Sequence, residues 1–271
     1  GDGRSERLIG EVLASRGERV FVATKAGRRL SPHAAEGYTL ENLRRFVDRS
    51  RAHLRMGTLD LLQLHCPPTK VYGDDRVFDA LDALVSEGRI ARYGVSVETC
   101  DEALAVIADR PRVASVQIIL NALRLKPLER VLPAARARGV GILARVPLAS
   151  GLLSGRLARD TRFAADDHRA FNRHGEAFDV GETFSGVPLE AAFEAVDALR
   201  EAVEPEGSMA RFALAWCLAQ PGVSCVIPGA RTAAQVDENV GASEVAITEA
   251  QRERVRAVYD RLVAPHVAHR W

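Results

Sequence analysis

The sequence has 271 residues, 47% of them hydrophobic and 27% charged, with a formal net charge of +1 at pH 7. Such a chain buries a full core, and its charge balance argues against a nucleic-acid partner held by bulk positive charge. Four cysteines without a C-x-x-C pair argue against a zinc site or a disulfide framework and fit a reducing, cytoplasmic location, and no apolar run is long enough to span a bilayer.

Leu8, Ile9, Val12 and Leu13 recur at helical spacing, with Gly17 as a left-handed stop. RVFVATK, residues 19–25, is an apolar β-branched run, the pattern of a strand buried on both faces. Thr39 suits the cap of a helix carrying Leu40, Leu43, Val47 and Leu54, and LDLLQLH, residues 59–65, reads as the next strand. A helix over 77–86 leads to the strand ARYGVSV, residues 91–97, after which Thr99 and Glu102 fit a capping box. RVASVQI (112–118), a helix over 128–138 ending at Gly139, and VGILARV (140–146) continue the alternation. Residues 147–187 break it: they are rich in Gly, Arg and Asp without periodicity, as in a functional lid or a disordered segment. Helices over 189–203 and 209–219, the strand VSCVIPG (223–229) and two capped helices complete the chain.

Alternation of helices with buried-type strands, six in all, predicts an α/β fold with a parallel sheet. No linker-like tract divides residues 1–271, so a single domain is expected. A doubly wound sheet would carry a G-x-G-x-x-G turn after a strand, and none of the six does. Instead a polar residue recurs where strands end: Lys25, His65, Ser96, Gln117, Arg145 and the Gly229-Ala230-Arg231 turn. In a (β/α) barrel those ends converge on one mouth, where the active site lies.

Only three of the 37 basic residues are lysines. A lysine kept at a strand end therefore suggests a role for an ammonium group. Lys25 alone equally suits a snorkelling strand end, and His65 alone a hydrogen-bonded core residue. On adjacent barrel strands the two would share a mouth and act on a common acid. Thr232 and Gln235 fit a capping box; with Arg231 beside them, the same helix start suits a phosphate. PLASGLLSGR, residues 147–156, suits either a surface loop or a wrap around a diphosphate that ends in Arg156. His168 and His174, with Asp166, Asp167 and Glu176, lack the spacing of a compact ligand set, and no metal is expected.

Taken in order, RVFVATK, LDLLQLHCPP, YGVSV, SVQIILN, ARVPLASGLLSGR and IPGARTAAQVDENV resemble the successive signature segments of the aldo-keto reductases across nearly the whole chain. The resemblance implies a (β/α)8 TIM barrel that reduces an aldehyde or ketone, a small-molecule carbonyl substrate, with NADPH. It matches Lys25 and His65 to the catalytic lysine and histidine. Ser96 and Gln117 match the residues that hold the nicotinamide carboxamide, with Arg145 where many members stack a tyrosine on the ring. Leu148, Ser150 and Gly151, followed by Arg156, match the loop over the pyrophosphate. Gly229, Arg231, Gln235, Glu238 and Asn239 match the adenosine and 2′-phosphate site. Val97 departs from a common asparagine, and Gly229 and Ala230 from a lysine and serine, which moves the 2′-phosphate grip onto Arg231.

The family's aspartate and tyrosine precede a G-x-G-x-S-E stretch, and this sequence starts at that stretch. The expectation is an N-terminally truncated barrel lacking its first two strands, and inactive as given. The alternatives are a non-catalytic nucleotide-binding protein resembling potassium-channel β subunits, or an inactive relic.

Overall fold

The computed structural model describes residues 2–205 and 207–271; Gly1, where the G-x-G-x-S-E stretch begins, lies outside them. Packing divides the chain into two units. Gly1–Val97, Asp101–Val116 and Arg138–Val140 form the first, and Glu98–Cys100, Gln117–Ala137 and Gly141–Trp271 the second.

In the first unit, α1 (Arg4–Ser15) leads to β1 (Ala23–Ala26), α2 (Leu40–Leu54), β2 (Leu61–His65), α3 (Asp75–Ser86), β3 (Tyr93–Ser96) and α4 (Cys100–Asp109). The strands pair in parallel, Lys25 opposite Gln63 and His65 opposite Ser96. Leu62, Leu64 and Val95 of the strands and Leu43, Val47, Leu81 and Leu84 of the helices are all fully buried. Thr39 caps α2 as its spacing predicts, its hydroxyl accepting from the Asn42 amide at 3.3 Å. Gly10 lets α1 lie close on α2, because a Cβ there would fall on the His53 carbonyl. Two local expectations need correction. An extended Arg16, not a left-handed Gly17, ends α1. The 19–25 run also yields a strand only from Ala23, with Val20 and Phe21 42% and 58% exposed. The physical reason is position: β1 stands at an edge of the sheet among the described residues, so one side of the run has no neighbouring strand.

β4 (Val113–Ile119) is shared, its start in the first unit and Gln117 onward in the second. The second unit continues with α5 (Val131–Arg138), β5 (Gly141–Arg145), α6 (His168–Phe171), α7 (Leu189–Val203), α8 (Met209–Leu218), β6 (Val223–Ile227), α9 (Ala233–Gly241), α10 (Glu249–Leu262) and α11 (Ala264–Val267). β5 and β6 pair in parallel, with a register shift at Ile142/Leu143. Trp216, Leu214, Val196, Leu199 and Val255 are buried in this unit's core. Strand order follows chain order from β1 to β6, with none of the reversal that marks a doubly wound sheet. The fold is α/β and barrel-like in its topology. No helix among the described residues is long and apolar enough to cross a membrane.

Residues 147–187 prove ordered by side-chain hydrogen bonds. Asn172, fully buried, accepts from the Ala177 and Phe178 amides at 2.8 and 2.9 Å and donates to Thr183 at 3.2 Å. Asn121 donates to the Val146 carbonyl and to Ser185, both at 2.9 Å. Both asparagines satisfy backbone that has no sheet or helix to enter.

Asp60 is the buried anchor of the first unit. At 3% exposure it accepts from the Val22 amide at 2.9 Å and pairs with the Arg19 guanidinium, which fixes the chain as it enters β1. Replacing it by alanine strands the Val22 amide in the interior. Asp60→Ala is expected to cost about 2 kcal/mol, read as a lower urea midpoint with an unchanged m-value.

Candidate active site

Short strands bring the predicted residues to their ends. In the first unit Lys25 and His65 stand half-buried near the C-terminal ends of adjacent parallel strands, His65 two positions beyond the residue opposite Lys25. Next to His65, Ser96 is 1% exposed. Its hydroxyl lies 3.3 Å from Cys66 Sγ, and its carbonyl accepts from Tyr72 Oη at 3.0 Å and from the Cys66 amide at 3.1 Å. His65 lines a cleft of about 280 Å³ with Ser5, Glu6, Arg28, Arg29 and Arg49.

Glu6 braces this end of the unit. Its carboxylate accepts from Thr24 and Ser50, each at 2.6 Å, and lies 3.0 Å from His53 Nδ1, so one side chain joins α1, β1 and α2. Burial works against its ionisation, yet the hydrogen bonds from Ser50, Thr24 and His53 hold the carboxyl below the ordinary glutamate range. Thr24 is the residue before Lys25, so the same network sets the approach of that lysine.

In the second unit Gln117 sits 4% exposed on β4, and its Oε1 has no hydrogen-bond partner among the described residues. A buried amide oxygen left without a donor costs free energy, and a ligand N–H would recover it. Arg145, 8% exposed at the end of β5, pairs with Glu182 at 3.1 Å. Beyond it the backbone turns through positive φ at Val146 (54°), Ala149 (47°), Ser150 (57°) and Gly151 (100°). A β-branched residue there is an outlier that persists only when its surroundings over-determine it, and such strain clusters at ligand clamps. Ser150 Oγ donates to the Glu182 carbonyl at 3.0 Å and accepts from the Phe184 amide at 3.2 Å. Leu148 packs on Leu214, Ala215 and Ala242.

The same unit holds the remaining predicted residues around α9. Thr232 caps the helix, accepting from the Gln235 amide at 3.3 Å. The expected reciprocal bond is displaced by one residue, because Gln235 Oε1 accepts from the Arg231 amide, at 2.7 Å. Asn239 Nδ2 donates to the Gly229 carbonyl at 3.3 Å, which folds the 229–231 turn onto its own helix. Arg156 pairs with Glu238 at 3.1 Å and ties the loop after β5 to α9. The structure thus groups Arg145 with Ser150 through the segment carrying Glu182, and Arg156 with the α9 residues. His168 lies 3.6 Å from Asp167, and Glu176 accepts from the His174 amide, so these groups serve local turns.

The sequence profile of the aldo/keto reductase family matches residues 1–260. The chain belongs to this family. It is 30% identical over 259 residues to an uncharacterized oxidoreductase of Mycobacterium bovis, covering 93% of this chain and 73% of the relative. It is 26% identical over 272 residues, 96% of this chain and 76% of the other, to the Schizosaccharomyces pombe aldo-keto reductase yakc, whose name specifies NADP(+). Among solved structures, a glycerol dehydrogenase from Gluconobacter oxydans superposes with a TM-score of 0.77 at 27% identity, covering 98% of this chain and 78% of that one. Aldo/keto reductases are oxidoreductases that use a nicotinamide nucleotide. The buried, partnerless Oε1 of Gln117 suits the carboxamide N–H donors of such a nucleotide, and the strained 146–151 turn suits a backbone clamp.

Sequence reasoning passed over Glu6, Asn121, Asp179, Glu182 and Trp271 as site-bracing residues. For Glu182 a signal existed: an arginine at a strand end requires a carboxylate, and the aperiodic segment was the place to seek it.

Because the Glu6 carboxyl is held below its ordinary range, its contribution is present at neutral pH and fades as the pH falls through that depressed value. Glu6→Gln is expected to lower stability at pH 7 by about 1 kcal/mol. It is also expected to flatten the acid limb of stability against pH, as read by urea unfolding between neutral and strongly acidic buffers.

Proposed function

We propose that this reductase reduces an aldehyde or ketone to an alcohol with NADPH, in the cytoplasm. The observation that carries the reading is the placement of Lys25 and His65 near the C-terminal ends of neighbouring parallel strands, in a chain whose family match spans 260 residues. NADPH supplies the hydride.

The chain's own residues then have distinct tasks. The His65 imidazole donates a hydrogen bond to the carbonyl oxygen and stabilises the charge that develops there. The Lys25 ammonium lowers the pKa of the acid that delivers the proton. That acid, and the aspartate that pairs with the lysine in the family, are assigned to none of the 271 residues. Gln117 accepts from the nicotinamide carboxamide, with Ser96 as its neighbour in the assignment, and Arg145 lies against the ring. Leu148, Ser150 and Gly151 wrap the pyrophosphate, with Arg156 closing the loop. Arg231, at the N-terminal end of α9, meets the 2′-phosphate where helix amides and a guanidinium both favour an anion; Gln235, Glu238, Asn239 and Gly229 complete the adenosine side. Preference for NADP over NAD rests on Arg231 and is supported by the NADP(+) in the name of the fission-yeast relative.

Two measurements test this reading. NADPH is expected to bind saturably by nucleotide fluorescence, with Gln117→Leu weakening it about tenfold. With the proton-donating acid present, a panel of aldehydes is then expected to drive NADPH consumption, and His65→Leu to lower kcat/KM by about 100-fold or more. Saturable binding without turnover on any aldehyde or ketone, with that acid present, would instead make the protein a nucleotide-responsive binding partner.

A further inference from the structure

Residues 268–271 follow α11 and are docked within the second unit. Lys126 Nζ donates to the Ala268 and Arg270 carbonyls at 3.1 and 2.7 Å, and the Cys100 amide donates to the Trp271 carbonyl at 3.2 Å. The Trp271 indole N–H then reaches the Asp179 carboxylate at 3.1 Å. Its ring covers the Arg124 guanidinium, with 3.9 Å between the ring centroid and the guanidinium carbon. Arg124 is 1% exposed, and its Nε and Nη1 have no hydrogen-bond partner among the described residues. An aromatic face against such a desolvated cation is worth more than one at the surface. Space is also reserved for the ring, since a Cβ at Gly181 or Gly186 would lie 2.7 or 2.5 Å from it.

What the indole holds is a 3₁₀ turn. Asp179 caps Val180–Glu182 by accepting from the Gly181 amide at 2.8 Å, so the carboxylate that receives the indole N–H also starts the turn. The same segment braces the loop after β5. Ser150 Oγ donates to the Glu182 carbonyl at 3.0 Å and accepts from the Phe184 amide at 3.2 Å. Ser185 meets Asn121, whose side-chain amide also donates to the Val146 carbonyl. Val146, Ala149 and Ser150 all stand at positive φ, a conformation such residues adopt only where their surroundings hold them. A loop of this form is ready for a ligand only while the 179–186 segment stays in place.

We propose that Trp271 is a positioning residue for the dinucleotide: by fixing the turn that starts at Asp179 it keeps the 146–151 backbone preformed, and so sets the affinity of the site for a pyrophosphate. The inference rests on the assignment of Leu148, Ser150 and Gly151 to that pyrophosphate. Trp271 acts through Asp179 and Ser150 and not by contact with the nucleotide. A loop that holds its binding form for only a fraction of the time weakens binding by that fraction. The loss falls on ligands that carry a pyrophosphate and spares those held by α9 alone.

The test is calorimetric titration of the whole chain with NADPH and with adenosine 2′,5′-bisphosphate, which has neither pyrophosphate nor nicotinamide. Wild type is expected to bind both. Trp271→Ala is expected to weaken NADPH about tenfold and the bisphosphate by less than about twofold. Trp271→Phe keeps a ring for Arg124 but loses the N–H that Asp179 accepts, and is expected to weaken NADPH about threefold. It carries the test where Trp271→Ala does not fold. Because Trp271 acts through Ser150, the Trp271→Ala, Ser150→Ala double variant is expected to lose less than the product of the two single losses. Three results each overturn the proposal and leave the reductase reading intact: wild-type NADPH affinity in either Trp271 variant, an equal loss for both ligands, or the full product in the double variant. Failure of wild type to bind NADPH overturns that reading and the proposal with it.

Discussion

A buried guanidinium must be matched by a carboxylate, and in the second unit that requirement orders what periodicity could not. Arg124 and Arg145 are 1% and 8% exposed, and removing either charge from water is costly unless it is paired or hydrogen-bonded. In the 179–186 segment Glu182 pairs with Arg145 and the Asp179 carboxylate favours the charged form of Arg124, which donates to the Glu98 carbonyl at 2.6 Å. With the segment so placed, Ser150 and Ser185 find their partners and the turn after β5 is pinned in a strained form that few other contexts would hold. The loop owes its order to electrostatics and hydrogen bonding more than to apolar burial.

The first unit uses carboxylates differently. Asp60 and Glu6 both fix β1, one where the chain enters the strand and the other beside Lys25, through hydrogen bonds from an amide, two hydroxyls and an imidazole. Since β1 is a short edge strand, its ladder contributes few hydrogen bonds, and side-chain anchors hold Lys25 where the ladder alone does not.

Much of the fold was legible because helix caps and strand runs carry local signals. Thr39 and Thr232 each cap the helix their spacing predicts, and α7 starts and stops where its apolar repeat does. The edge strand was misread because β-branched runs look alike whether one or two neighbours flank them; neighbours are a property of the sheet. Lys25, His65, Gln117 and Arg145 could be found at strand ends from the pattern alone. Their braces could not, since Glu182, Asp179 and Trp271 lie 34 to 126 positions from Arg145 along the chain and meet only through tertiary packing. Residues 147–187 carry no periodicity because asparagines and ion pairs order them, and neither leaves a repeat in sequence.

The Arg156–Glu238 pair and the buried Asn172 fasten the long segment at two places, and between them Arg159 pairs with Asp197 at 3.3 Å and the Phe163 ring packs on Phe184. Changing the length of a span whose ends are already fixed costs only the slow logarithm of loop closure. The exposed residues 160–162, between those contacts, are accordingly a place where insertions can accumulate without disturbing the turn that carries Glu182. In evolutionary terms, the segment separates a part free to diversify from a part whose every residue answers to a neighbour.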